Sequence, residues 1–285
     1  MEAAFAEMPL ALFTTLASMG AGGFIAVAVA LFTAKPTDEQ LAKIDRLTLV
    51  PLALVILGFI AAFFHLTNPL HAINIFNGLG SSPLSNEIAT GSVFVVVAIV
   101  YCILAAMGKL SAGARRGFCA VVAVLAVVFA LMMGAAYMMD TIASWNTPAG
   151  PAQMLGFALV GGMAIGVLVT SQAGVDATSG SFGTAGMVVS AAGVVLGAGG
   201  LAVQAMTVSG MANAIVAGSA LVGEATAVIA VAVVALIAAC ACTVVALRRK
   251  NGFGLAALAS VLALAGILCA RLAFYVMELS VGLAC

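Results

Sequence analysis

The stretch LTLVPLALVILGFIAAFFHL, residues 47–66, decides the fold of this chain. It contains no Asp, Glu, Lys or Arg, and its one titratable side chain, His65, stands next to its end. A helix needs about 20 apolar residues to cross the hydrocarbon core of a bilayer. We therefore predict a membrane-spanning helix here, with His65 at the membrane surface.

The whole chain has the composition of a membrane protein. Of its 285 residues, 65 % are hydrophobic and only 7 % are charged, and the mean hydropathy is +1.28. A soluble domain carries about 25 % charged residues, so this chain must use lipid as its solvent. Ten basic residues balance ten acidic ones, which gives nucleic-acid binding no support.

Seven further stretches have the same character, so the predicted fold class is an all-α integral membrane protein, a bundle of eight transmembrane helices. The spans are predicted at about 9–32, 47–66, 88–107, 117–139, 153–173, 185–207, 225–247 and 252–280. Helices satisfy their own backbone hydrogen bonds in lipid, whereas a β-barrel would show short alternating segments. The opening residues lack a basic region and a cleavage site, so the first span is expected to be retained. Because no soluble segment or linker interrupts the pattern, residues 1–285 are predicted to form a single polytopic membrane domain.

Glycines at the spacing GxxxG occur as the pairs Gly162/Gly166 and Gly193/Gly197. Such pairs let the backbones of two membrane helices approach closely. We expect both pairs to lie at contacts between helices.

The basic residues indicate the orientation of the chain. Nine of the ten lie in the first, third and seventh loops between the predicted spans: Lys35, Lys43, Arg46, Lys109, Arg115, Arg116, Arg248, Arg249 and Lys250. Because basic loops stay in the cytoplasm, both termini are predicted on the outer side of the inner (cytoplasmic) membrane.

Polar side chains collect in the layer that this orientation places at the outer surface. They are His65, Glu87, Tyr137, Asp140, Trp145, Arg271, Tyr275 and Glu278. The last three are spaced i, i+4, i+7 and share one face of the eighth span. A charge such as Arg271 inside apolar sequence is costly unless it is paired. Together these residues predict a proton-handling site at the outer rim of the bundle.

Each of these residues also has a purely structural interpretation. A histidine at a helix end is commonly an interfacial residue, and Tyr137 and Trp145 fit an aromatic belt. Glu87 follows Ser85 and Asn86, either of which is able to cap a helix, and acidic residues favour that end of a helix. From the residues alone, both interpretations stay open.

The sequence contains no pattern for a redox cofactor. A membrane b-type haem takes two histidines from facing helices, but His65 and His71 are six residues apart on one segment. None of the six cysteines forms CxxC or an iron–sulfur run. We predict no haem, no iron–sulfur cluster, no molybdenum and no other metal site in this chain.

Five segments carry a resemblance to a known family. They are EMPLALFTTLASMGAGGF at 7–24, GFIAAFFHLTNPLHAINIFNGLGSSPLSNEIATGSVF at 58–94, YMMDTIASWNTPAG at 137–150, AGVD at 173–176 and ARLAFYVMELSVG at 270–282. They resemble the membrane anchor subunit of anaerobic dimethyl sulfoxide reductases. The likeness extends from end to end of the chain, and its most specific parts are His-L-x-x-P and L-S-N-E-I, in that order and spacing.

The resemblance implies a function. Such subunits bind and oxidise menaquinol in anaerobic respiration and pass its electrons to an iron–sulfur subunit, which feeds a molybdopterin catalytic subunit. The family's quinol-site histidine falls on His65, its glutamate on Glu87 and its arginine on Arg271, with Tyr275 one turn beyond. His71 departs from the pattern, since the family has arginine there. The terminal electron acceptor and the preferred quinone stay open.

Quinol oxidation gives these residues a chemical task, because it releases two protons and two electrons. Neutral His65 is expected to accept a hydrogen bond and a proton from one hydroxyl, and Glu87 to pass the proton outward. The apolar neighbours Ile60, Phe63 and Phe64 are expected to enclose the ring and its tail. The iron–sulfur partner is expected to dock on the outer face, close to this layer.

Two other functions stay open. A proton-coupled small-molecule transporter would also have glycine-rich spans with few charges, although midplane charges and paired broken helices are missing here. A purely structural anchor would leave His65 and Glu87 unexplained. Co-purification with iron–sulfur and molybdenum subunits would distinguish a redox anchor from a transporter.

Overall fold

The structure is a computed structural model that describes residues 2–66, 74–75, 77–178 and 180–281. Within these residues the chain forms ten α-helices, and no strand beyond two isolated bridges. The helices are α1 Glu2–Ala6, α2 Met8–Thr33, α3 Asp38–Leu47, α4 Leu49–Phe63, α5 Pro83–Ala106, α6 Ala112–Ala135, α7 Ala149–Gln172, α8 Phe182–Ser209, α9 Gly218–Leu247 and α10 Phe253–Val276.

Eight segments of the structure are long and apolar enough to cross a membrane, which confirms the predicted number of spans. Seven of them are single helices, α2 and α5 to α10, and the eighth joins α3 to α4 over Asp38–Phe63. The second span was predicted to begin at residue 47, but the helical segment begins nine residues earlier. The Thr37 hydroxyl accepts a hydrogen bond from the backbone N–H of Gln40 at 3.3 Å, and the side-chain oxygen of Gln40 accepts one from the backbone N–H of Thr37 at 2.9 Å. This capping box starts a helix in polar sequence, ahead of the apolar stretch.

The third span also begins before its predicted start at residue 88. Ser82 Oγ accepts a hydrogen bond from the Ser85 amide at 3.4 Å, and Pro83 occupies the first turn, where a missing N–H costs nothing. Glu87 therefore lies beyond the first turn of α5, which contains no acidic residue. Its interpretation as a charge at the helix N-terminus is wrong for this reason.

Helices α2 and α7 form the centre of the bundle. In both, 78 % of the apolar span is buried, against 28–39 % in the other six spans. Gly22 of α2 and Gly162 of α7 face each other so closely that a Cβ on either would overlap the other helix. Gly193 of α8 lies in the same way against the backbone of α7 at Val160. Close packing at the GxxxG pairs is thereby confirmed.

Five phenylalanines form a cluster beside this central pair: Phe13, Phe24, Phe59, Phe94 and Phe129, with contacting ring centroids 5.3–6.4 Å apart. Gly91 of α5 leaves the space that the rings of Phe59 and Phe129 fill, and these rings stack with an interplanar angle of 12°. Each such ring pair contributes about 0.5–1.5 kcal/mol beyond the burial of its area. The cluster fixes the mutual positions of α2, α4, α5 and α6 beneath one end of the bundle.

The two ends of the bundle differ in charge. The nine basic residues of the first, third and seventh loops lie at one end, which we call the basic end. At the opposite end, which we call the cavity end, the turn 136–148 after α6 meets the segment 277–281 after α10. Leu279 N donates to Ser144 Oγ at 2.8 Å, and Val281 N donates to Thr141 O at 3.1 Å. These bonds hold together the two segments that close one side of the candidate site.

Candidate functional site

A cavity of about 690 Å³ opens at the cavity end, between the start of α2, the end of α4, the start of α5 and the ends of α6 and α10. Its polar lining consists mainly of Glu7, His65, Glu87, Tyr137, Tyr275 and Glu278. Three of the four predicted site residues, His65, Glu87 and Tyr275, therefore line one space. The fourth, Arg271, lies behind the wall.

His65 follows α4, and its amide donates to Ala62 O at 3.0 Å, which extends the last turn of the helix. Its side chain is 40 % exposed, so the imidazole meets both the cavity and solvent. Nε2 lies 3.8 Å from Glu7 Oε2, a distance longer than a hydrogen bond. Within the described residues neither ring nitrogen is hydrogen-bonded, so the ring is available to a ligand.

Glu87 lies on α5 with only 4 % of its surface exposed. Its Oε1 has no hydrogen-bond partner among the residues that the structure describes. A buried polar atom without a partner costs about 1–3 kcal/mol, more for a charged group, and is rare in folded proteins. Because this carboxyl lines the cavity, a ligand hydroxyl placed there would satisfy it.

Arg271 is fully buried on α10 and makes two hydrogen bonds. Its Nε donates to Thr14 Oγ1 of α2 at 2.9 Å, and Nη2 donates to the Tyr275 hydroxyl at 3.2 Å. The guanidinium carbon lies 4.1 Å from the ring centroid of Phe274, 4.7 Å from that of Tyr137 and 5.1 Å from that of Tyr275. Cation–π contacts of this kind stabilise a charge that has left water. The side chain thus fixes the aromatic wall of the cavity from behind.

That wall is made by Tyr137, Trp145 and Tyr275, and Phe274 packs against all three rings. The hydroxyls of Tyr137 and Tyr275 are 2.7 Å apart, and Trp145 Nε1 donates to Phe274 O at 3.4 Å. Trp145 stacks on Phe274 with ring centroids 5.0 Å apart. The interpretation of Tyr137 and Trp145 as an aromatic belt is wrong, because a belt faces lipid headgroups and these rings pack on one another. Burial of the Tyr137 hydroxyl, next to Tyr275, raises its pKa well above the usual value for tyrosine.

The apolar lining differs from the prediction. Phe63 lines the cavity, but Ile60 and Phe64 do not, and Phe64 is 78 % exposed. The cavity is instead lined by Phe59, Ala62 and Phe63 at the end of α4 and by Leu66 just after it, spaced i, i+3, i+4 and i+7. Ile60 and Phe64 share the opposite face, which is available to lipid.

Two acidic residues complete the mouth of the cavity. Glu278 was predicted on the polar face of the last span, whereas Glu7 was not singled out, because it precedes the first apolar stretch and carries no motif of its own. Burial, and then the neighbouring Glu7 carboxylate, raise the pKa of Glu278 above its usual range. The signal that could have identified Glu7 is its place in the same outer layer as His65.

The remaining sequence predictions concern residues elsewhere. His71 lies outside the described residues. Five cysteines, Cys102, Cys119, Cys240, Cys242 and Cys269, are unpaired and lie within or at the edge of the bundle. Among the described residues no group of three or more His, Cys, Asp or Glu side chains is arranged to hold a metal ion.

Comparison with known proteins identifies one matching family and three related subunits of anaerobic dimethyl sulfoxide reductases. The family described as "DMSO reductase anchor subunit (DmsC)" matches residues 1–277. The C subunit of the anaerobic dimethyl sulfoxide reductase of Escherichia coli K12 is 37 % identical over 171 residues, and that of Haemophilus influenzae is 35 % identical over 140 residues. These alignments cover 60 % and 49 % of the present sequence, and 60 % and 50 % of the relatives. The YnfH subunit of an Escherichia coli anaerobic dimethyl sulfoxide reductase is 29 % identical over 280 residues, which are 98 % of the present sequence and 97 % of the relative.

Proposed function

Because the chain belongs to the DMSO reductase anchor subunit family, a family of multi-pass membrane proteins, we propose that it binds and oxidises menaquinol in the cavity at the cavity end. It passes the two electrons to an iron–sulfur subunit, which supplies a molybdopterin reductase of the dimethyl sulfoxide reductase type. Terminal reduction takes place in that partner. The anchor supplies the quinol site and the attachment to the membrane.

One observation carries the proposal: a cavity with apolar walls brings together His65, Tyr275 and Glu87, whose Oε1 has no hydrogen-bond partner among the described residues. Its volume, about 690 Å³, falls in the range of roughly 300–1,000 Å³ that is typical of small-molecule sites. The Phe13 and Phe59 rings offer a surface for a flat bicyclic headgroup. The polar groups stand at the end where water and the membrane surface meet.

The side chains have distinct tasks in this proposal. His65 accepts a hydrogen bond from one quinol hydroxyl and takes its proton when the electrons leave. Glu87 accepts a hydrogen bond from the second hydroxyl, which satisfies Oε1, and takes the second of the two protons that the oxidation releases. Tyr275, held by Arg271 and Tyr137, orients the ring by a contact of its hydroxyl. The anchor itself need hold no haem, iron–sulfur cluster or molybdenum for these steps.

The two ends of the bundle support an orientation. Basic loops are retained in the cytoplasm, so the basic end faces inward and the cavity end, with both termini, faces outward across the inner membrane. The iron–sulfur subunit then docks on the outer face, close to the cavity, because electron transfer requires a short distance. The polar residues of the site lie at one surface, an arrangement that favours this function over a proton-coupled transporter with a midplane site.

Replacement of His65 tests the proposal in the assembled complex with its iron–sulfur and catalytic subunits. In His65→Ala, oxidation of a menaquinol analogue is expected to fall about 10²–10⁴-fold, because the proton acceptor is lost. Reduction of the acceptor by an artificial soluble donor, which bypasses the cavity, is expected to stay at the wild-type rate. Phe64→Ala is the matched control, since the neighbouring side chain points away from the cavity.

Two outcomes overturn the proposal. Quinol oxidation at the wild-type rate in His65→Ala means that this cavity is not the oxidation site. Failure of His65→Ala to assemble, with Phe64→Ala assembling normally, supports a purely structural anchor.

A further inference from the structure

Glu7 occupies a special position at the entrance of the cavity. It forms the turn between α1 and α2, and its carbonyl accepts the first hydrogen bond of α2, from Ala11 N at 2.9 Å. Its side chain does not cap that helix. The carboxylate instead lines the cavity, with 32 % of the side chain exposed to solvent.

The Glu7 carboxylate also stands next to the imidazole of His65. Glu7 Oε2 and His65 Nε2 are 3.8 Å apart. A side-chain shift of about 0.6–1 Å brings these atoms within hydrogen-bond distance. A proton on the imidazole therefore has an acceptor that faces both the cavity and water.

Glu87 lacks this access to water. It is 4 % exposed, and the cavity separates it from the bulk phase. A proton on Glu87 has to return through the cavity, whereas a proton on Glu7 is already at the surface. The sequence-based expectation gave the outward step to Glu87, but the exposure of the two carboxyls favours Glu7.

Glu278 gives the entrance a second carboxyl. It lines the same cavity from the segment after α10, and its pKa is raised by burial and by the charge of Glu7. Burial and the charge of Glu7 therefore favour the protonated form of Glu278. The other titratable or charged groups around the entrance are His65 after α4, Glu87 on α5, Tyr137 after α6, and Tyr275 and Arg271 on α10.

We propose that Glu7 is the proton-release residue of this site, taking the proton from His65 and delivering it to water at the outer entrance, with Glu278 beside it. This inference rests on the proposed quinol oxidation. Both quinol O–H bonds break as two electrons leave to the iron–sulfur partner; one proton forms an N–H bond on His65 and the other forms an O–H bond on Glu87. The imidazolium N–H then breaks, an O–H bond forms on Glu7, and the proton passes to water. Glu7 acts through His65 and does not bind the quinol.

Replacement of Glu7 by Gln tests this in the assembled complex, because Gln keeps the shape of the side chain and removes the acceptor. Oxidation of a menaquinol analogue is expected to fall at least about tenfold at low buffer concentration. A high concentration of imidazole or phosphate buffer is expected to restore most of the rate, since a soluble base replaces the lost carboxylate. The KM for the quinol analogue is expected to stay near the wild-type value.

Asp38→Asn is the matched control, because Asp38 is an exposed acid in the first turn of α3, at the basic end and far from the cavity. It is expected to oxidise quinol normally and to show no response to buffer. A Glu7→Gln complex with a normal rate overturns the inference, and so does a slow one that buffer does not restore. The proposed function fails separately, when His65→Ala oxidises quinol as the wild type does.

Discussion

Two carboxylates are buried at opposite ends of the bundle, and their surroundings differ. Asp45 lies at the basic end and is 1 % exposed. Both of its carboxylate oxygens accept a hydrogen bond from Arg115 Nε at 3.1 Å, and Oδ2 also lies 2.9 Å from Arg115 Nη2. Glu87, at the cavity end, leaves Oε1 without a partner among the described residues. A buried carboxylate that is bonded to a cation is compensated within the fold, whereas a buried carboxyl oxygen without a hydrogen bond costs free energy that a ligand would recover. We infer that Asp45 serves the fold and Glu87 serves a bound molecule.

The largest effect is expected from breaking the pair at the basic end. Arg115→Leu leaves the Asp45 carboxylate buried and uncompensated, so the free energy of unfolding should fall by about 3–5 kcal/mol. Thermal unfolding of the detergent-purified complex measures this. The complexes that do assemble should oxidise quinol at the wild-type rate, because Arg115 is at the far end from the cavity.

Arg116→Leu provides the control for that change. It removes the same charge one residue later, from an exposed side chain. Its effect should stay within about 0.5 kcal/mol, the usual range for surface substitutions. Equal destabilisation by the two variants would mean that net charge at the basic end, and not the buried pair, stabilises the bundle.

The next largest effect is expected at Glu87, where activity and not stability should be lost. Glu87→Gln replaces a buried carboxyl whose Oε1 has no hydrogen-bond partner among the described residues, so the melting temperature should change little. Quinol oxidation should fall on the order of 10²-fold, because the carboxylate that accepts from the hydroxyl is lost. Steady-state rates with a menaquinol analogue and with a soluble donor distinguish quinol oxidation in the cavity from reduction of the acceptor in the partner subunit.

Asp45→Asn is the matched variant, since it makes the same carboxylate-to-amide change at the other end. It should lower the melting temperature and leave quinol oxidation per assembled complex intact. If Asp45→Asn and Glu87→Gln gave the same pattern, the contrast between the two carboxylates would not hold.

The sequence was sufficient for those features that depend on one segment at a time. Each span has its own excess of apolar residues, so eight spans were predictable without knowledge of their contacts. The place of His65 and Glu87 at the same end of the bundle followed as well, because alternate crossing of the bilayer brings the end of one span to the same side as the start of the next. At α3 the helix extends into polar sequence, so hydropathy predicted the start of the span too late. The capping residues Thr37 and Gln40 determine where this helix begins.

Features that depend on several helices were not predictable. The choice of Phe59 and Phe63 over Ile60 and Phe64 requires the rotation of α4 about its axis, which packing on the phenylalanine cluster determines. Hydropathy does not encode it, since all four side chains are apolar. Glu7 was missed because it is 58 positions from His65 in the sequence, and the two meet only when the turn before α2 packs beside the residues that follow α4.

The smallest effect is expected at Arg271, which shapes the cavity from behind its wall. Arg271→Lys keeps the charge but loses the planar group that bonds Thr14 and Tyr275 together and lies over three aromatic rings. Tyr275 should then be less well held. The KM for the quinol analogue should rise about three- to tenfold with little change in kcat, as expected when an interaction common to bound substrate and transition state is weakened.

Thr14→Val sharpens this last test, because it removes only the acceptor of the Arg271 Nε hydrogen bond and leaves the rings in place. A smaller rise in KM, in the same direction, is expected. If Arg271→Lys instead lowered kcat on the order of 10²-fold with KM unchanged, Arg271 would act on the reacting hydroxyl itself. Arg271 would then take part in the reaction, and not only support the wall of the cavity. A KM effect in both variants would place Arg271 with Asp45, among the charges that are bonded within the fold. Glu87, whose Oε1 has no hydrogen-bond partner among the described residues, would remain the carboxyl that bonds a ligand.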